Sequence, residues 1–89
     1  MNREETIRGK LTNVLAKLKN VQPETLNFRD EDNFLIILNM GSFDAVEFTL
    51  RLNTEFGIIF GDDSNDIDSL NSFGNLVQMV LTRSPKYQL

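Results

Sequence analysis

Leu38-Asn39-Met40-Gly41-Ser42-Phe43-Asp44-Ala45-Val46-Glu47-Phe48, running on through Leu52 to Glu55-Phe56-Gly57-Ile58, is the stretch on which the fold turns. At about 100° per residue on a helix, Ala45, Phe48, Leu52 and Phe56 share one face. Phe43, Val46 and Leu50 share a second face roughly 150° away. One face can pack on a bundle, but both can do so only if the helix is almost fully enclosed. Asp44, Glu47, Arg51, Asn53, Thr54 and Glu55 oppose that enclosure. The pattern predicts a helix from about Phe43 to Phe56, stopped by Gly57. Its second apolar stripe reads as a docking surface; a central helix with a wide buried face is the alternative. Ser42, just ahead of the helix, reads by itself as its N-cap.

Toward the N-terminus, Ile7, Leu11, Val14, Leu15, Leu18 and Val21 recur at spacings of three and four. They predict an amphipathic helix over 3–20, ended by Pro23, because the residue before a proline is pushed out of helical geometry. Residues 22–41 form a long connection whose apolar cluster, Phe34 to Leu38, has no second strand to pair with. It reads as loop or short helix pinned to the core. Toward the C-terminus, Gly61 to Asp66 is rich in turn formers, and a short helix is expected around Asp66–Leu70. Ser72 is a good N-cap for a last helix carrying Phe73, Leu76, Val77, Val80 and Leu81, which ends before Ser84-Pro85. The tail Lys86–Leu89 is expected to be mobile. The predicted fold is all-α: a small four-helix bundle with a long first loop and a short third helix, one domain over 1–89 with an ordered core of about 3–83.

Composition limits the chemistry. At 89 residues there is room for one modest core, and 40% apolar with 25% charged residues argues against disorder. The chain has no cysteine and no histidine. Disulfides, thiolate nucleophiles, zinc sites and the usual neutral-pH base are therefore excluded, which favours a carrying or binding role over an enzyme. From Glu24 to Leu81 there are eleven acids against two bases, Arg29 and Arg51, whereas residues 1–23 balance at +3 and 82–89 at +2. This acidic middle should attract basic partners and repel nucleic acid. No apolar run approaches the roughly 20 residues of a membrane span. Met1-Asn2-Arg3-Glu4-Glu5 lacks the apolar core of a signal peptide, so a cytoplasmic location is expected; the chain is separately expected to be a monomer. Read as an EF-hand loop from Asp62, the acidic turn places Ile67 where glycine is required and Phe73 where a bidentate glutamate is required. No metal site is assigned.

The stretch quoted at the outset resembles the signature of acyl carrier proteins, which reads Leu-Gly-x-Asp-Ser-Leu-Asp-x-Val-Glu-Leu and later ends Glu-Glu-Phe-Gly-Ile. Ser72-Phe73-Gly74-Asn75-Leu76-Val77 likewise resembles that family's Thr-Val-Gly-Asp-Ala-Val at the start of its last helix. The Ser-Phe pair with the following Val-Glu is also similar to D-alanyl carrier proteins. The resemblance covers nearly the whole chain and implies a bundle of acyl-carrier type.

It further implies that Ser42 receives 4'-phosphopantetheine from coenzyme A through a separate phosphopantetheinyl transferase. The arm's thiol would hold an acyl or aminoacyl group as a thioester. The implied partners are that transferase, an acyl- or aminoacyl-loading enzyme, and a downstream synthase or transferase. Phe43, Val46 and Leu50 match the family's apolar contacts with partners, and Asp44 and Glu47 its acidic ones. Two departures stand out: Gly41 replaces an aspartate and Asn39 a glycine. The later acidic run is also thinned to Asn53-Thr54-Glu55. A dedicated, specialised biosynthetic pathway is expected in preference to bulk fatty-acid synthesis. The alternative is an unmodified carrier-like helical domain used only for protein–protein interaction.

Overall fold

The computed structural model describes residues 2–59 and 72–87, and among these every regular element is helical. Four α-helices run in chain order: α1 (Arg3–Lys19), α2 (Phe34–Ile37), α3 (Ser42–Phe56) and α4 (Phe73–Arg83), with 3-10 turns at Pro23–Thr25 and Pro85–Tyr87. The helix expected around Asp66–Leu70 and the acidic turn from Asp62 lie outside the described residues.

α1 packs against both α3 and α4. Ile7, Leu11, Val14 and Leu15 supply its buried stripe, so the three-and-four spacing places the core side as predicted. The stripe ends one step early. Asn20 takes the left-handed conformation (φ 57°), and the Val21 N–H closes the helix on the Ala16 carbonyl at 2.9 Å. Val21 is thereby turned into solvent. Asn20, not Pro23, terminates the helix, because asparagine tolerates the left-handed region that caps a C-terminus. Pro23 instead opens the following 3-10 turn.

The long connection is held down at several points. Phe28 stacks on Phe73 with ring centroids 5.0 Å apart, and Phe34 meets Phe48 and Phe73 edge-on at 5.7 and 6.5 Å. Phe34 thus joins α2 to both α3 and α4, an arrangement in which aromatic pairs gain beyond simple area burial. Arg8 on α1 pairs with Asp30 and lies over the Phe73 ring, its guanidinium carbon 5.4 Å from the centroid. The cluster Phe34 to Leu38 is a short helix, but only Phe34 is fully buried. Ile36 and Ile37 are 75% and 54% exposed, which corrects the expectation that the whole cluster is pinned to the core. One helical turn has a single inward direction, and Phe34 occupies it.

The two ends of α4 are tied down. Ser72 Oγ accepts from the Asn75 N–H, and the carbonyls of Asp32 and Asp30 accept from the N–H groups of Phe73 and Gly74, each at 2.9 Å. Past its C-terminus, the buried Ser84 hydroxyl donates to the Phe56 carbonyl at 2.6 Å and Lys86 Nζ to the Glu55 carbonyl at 2.6 Å. The Tyr87 ring lies 6.3 Å from that of Phe56. The polar sequence after Ser84 did not suggest these contacts; residues 88 and 89 are outside the described residues. The last two carbonyls of α3, those of Glu55 and Phe56, thus each accept from a side chain that follows α4.

Candidate functional site

α3 is anchored at one end and open at the other. Its N-cap is Gly41, with φ −86° and ψ −174°, and Ser42 is the first helical residue. Ser42 is therefore not the N-cap that its position in the sequence suggested. The helix starts one residue earlier than predicted, and the Gly41 carbonyl takes the first intrahelical bond, from the Ala45 N–H at 3.0 Å. Glycine has no side chain to close the end. The N–H groups of Ser42, Phe43 and Asp44 have no protein acceptor among the described residues. By contrast, side chains of Asn2, Asn33 and Ser72 cap α1, α2 and α4. An exposed hydroxyl at the mouth of a helix with free N–H groups and the positive end of its dipole suits attachment of a phosphate ester.

The turn into this site is built by Asn39 and Met40. The Met40 N–H reaches back to the Leu35 carbonyl at 2.8 Å, and Asn39 sits at φ 52°. That left-handed position is one glycine adopts freely and asparagine adopts with little strain. Either residue type could therefore serve at position 39. Gly41 is different. It lies in extended geometry open to any residue, and a Cβ built there meets nothing within 4 Å. No steric reason requires glycine at 41, and a carboxylate side chain would fit there.

The two faces of α3 separate cleanly. Phe48, Leu52 and Phe56 are fully buried and Ala45 half-buried, while Phe43 is 84% exposed and Val46 and Leu50 each 60%. The helix is not enclosed, and the second stripe faces solvent. Ile36 and Ile37, at most six residues ahead of Ser42, add further exposed apolar surface on the preceding helix. Their sequence pattern, a continuous apolar run, gave no sign of which members face outward. Ile59, just past Gly57, is exposed as well.

Both candidate acidic contacts have internal partners. Asp44 Oδ2 lies 2.9 Å from Lys19 Nζ, and Glu47 lies 3.6 Å from Arg51 one turn on. The second pair was legible from its i, i+4 spacing, whereas Lys19 is remote in sequence and carried no signal. Among the described residues no group of three acidic side chains is placed to hold a metal ion, and no helix is long and apolar enough to cross a membrane. Comparison of the chain with protein-family models, curated proteins and solved structures gives no match.

Proposed function

We propose that the chain is a free-standing acyl carrier protein, modified on Ser42 with 4'-phosphopantetheine and serving a specialised biosynthetic pathway. The observation that carries this reading is an exposed serine at an uncapped helix mouth, followed directly by an exposed apolar stripe on the same helix. Ser42 supplies the attacking oxygen: it forms a bond to the phosphorus of coenzyme A's pyrophosphate, the bridging P–O bond breaks, and the hydroxyl proton leaves with 3',5'-ADP as the by-product. The N–H groups of Ser42, Phe43 and Asp44 are positioned by the helix to donate to phosphate oxygens. When attached, the arm contributes the thiol on which an acyl or aminoacyl group rides as a thioester, a nucleophile that this cysteine-free chain lacks. Phe43, Val46 and Leu50 form the apolar surface presented to the transferase, the loading enzyme and the downstream synthase. Asp44 and Glu47 flank it with charge.

Incubation with coenzyme A and a promiscuous transferase should add one phosphopantetheinyl group to the intact mass, and Ser42→Ala should abolish the gain. Because Gly41 rather than Ser42 caps the helix, the alanine variant should stay within about 0.5 kcal/mol of the parent. A gain that persists without Ser42 would refute the assignment. No gain in the parent protein, under conditions that modify a control carrier, would leave an unmodified interaction domain as the reading.

A further inference from the structure

A groove of about 380 Å³ runs between α1 and α3, and its rim is dominated by cations. Lys10 and Lys17 stand two turns apart on one face of α1, and Arg51 faces them from α3. Neither lysine makes an ion pair among the described residues. Arg51 Nε is buried without a hydrogen-bond partner, while the outer end of the guanidinium lies 3.6 Å from Glu47. The Arg51 side chain as a whole is 40% exposed, so its outer nitrogens stay within reach of the groove. The Asn13 amide adds a neutral donor, and Glu55 contributes the one carboxylate of the lining. With Arg51 paired to Glu47, Lys10 and Lys17 remain, among the described residues, as two unpaired cations beside the single carboxylate of Glu55, in a chain whose total charge is −4.

We infer that this groove binds the phosphate dianion of a small phosphate monoester. The two unpaired ammonium groups of Lys10 and Lys17 suit a doubly charged anion, and guanidinium and ammonium donors are the groups that recognise phosphate oxygens. The volume falls at the low end of the range for small-molecule sites, which leaves room for a small organic body beside the phosphate. This site is separate from Ser42 and does not depend on its modification.

The test is an NMR titration of the full-length, ¹⁵N-labelled apo chain with inorganic phosphate and with glycerol 3-phosphate, against sodium chloride and glycerol at matched ionic strength. Saturable shifts at Lys10, Asn13, Lys17 and Arg51, including the Arg51 Nε–H signal, are expected with both phosphates, and any shifts at Ser42, Phe43 and Asp44 report the mouth of α3 and are read separately. Glycerol 3-phosphate should bind more tightly. The double variant Lys10→Gln/Lys17→Gln, whose exposed positions should leave the melting temperature unchanged, should bind roughly tenfold or more weakly, as should Arg51→Gln. Equal shifts with chloride, or shifts spread evenly over Lys19 and Lys86, would overturn the site. Equal affinity for the two phosphates would overturn the ester assignment.

Discussion

Lys19 Nζ sits 2.9 Å from Asp44 Oδ2, joining the last turn of α1 to the first turn of α3 across 25 residues of chain. Each charge also stands at the helix end where the dipole favours it, the cation at a C-terminus and the anion at an N-terminus. Both side chains are only about a quarter exposed, so the pair is less screened than a typical surface bridge. A double-mutant cycle with Lys19→Met and Asp44→Asn should give a coupling of about 0.5–1 kcal/mol in denaturant unfolding, shrinking in high salt. Additive effects of the two substitutions would mean that the contact is stabilising neither helix.

Gly41→Asp should stabilise the protein and, on the proposed function, quicken transfer of phosphopantetheine to Ser42. The extended backbone and the open space around residue 41 accept any side chain, and aspartate would reach the free N–H groups of α3. The gain in stability is a few tenths of a kcal/mol, because glycine is itself a tolerable cap. The rate effect should be larger and should grow at low salt, since charge complementarity governs encounter with a basic partner. Gly41→Asn and Gly41→Ala serve as controls in a time course read by intact mass. Should Asp prove no faster than Asn at low salt, the missing charge is not what distinguishes this motif.

The two faces of α3 should respond oppositely to truncation. Phe48→Ala and Leu52→Ala remove fully buried side chains and should each lower stability by about 2–5 kcal/mol. Val46→Ala and Leu50→Ala remove exposed ones and should stay within about 0.5 kcal/mol. The exposed pair should nevertheless slow loading or transfer by partner enzymes. Urea midpoints and a loading assay on the same four variants separate the two roles.

Gly74→Ala should be destabilising despite replacing glycine in a helix, where alanine is ordinarily preferred. A Cβ at 74 would lie 2.8 Å from Asp30 Cβ and 3.0 Å from the Asp30 carbonyl oxygen. That carbonyl accepts the Gly74 N–H at 2.9 Å, so the loop cannot retreat without losing a cap of α4. The expected loss is about 1–3 kcal/mol, the range for overpacking, read as a fall in thermal midpoint. A stability equal to or above the parent would show that the loop shifts freely.

The inward stripes of α1, α3 and α4 are legible from residue spacing alone. Ile7, Leu11, Val14 and Leu15, Phe48, Leu52 and Phe56, and Phe73, Leu76, Val77 and Val80 all recur at helical spacing, and Ser72 and Gly57 mark their boundaries with local chemistry. Such signals are short-range, because a helix turn and its cap involve residues at most four apart. For α3 the two stripes were visible, but periodicity alone did not say whether the second was buried. Only the tertiary structure decided that Phe43, Val46 and Leu50 face solvent, because enclosure depends on what α1 and α4 cover. It also decided that Ile36 and Ile37 turn outward from an apolar run, that Gly41 takes the cap from Ser42, and that Lys19 meets Asp44 while Lys10 and Lys17 share a groove with Arg51. Those relationships join residues tens of positions apart or depend on a one-residue shift in where a helix begins, and neither leaves a mark in the periodicity of the chain.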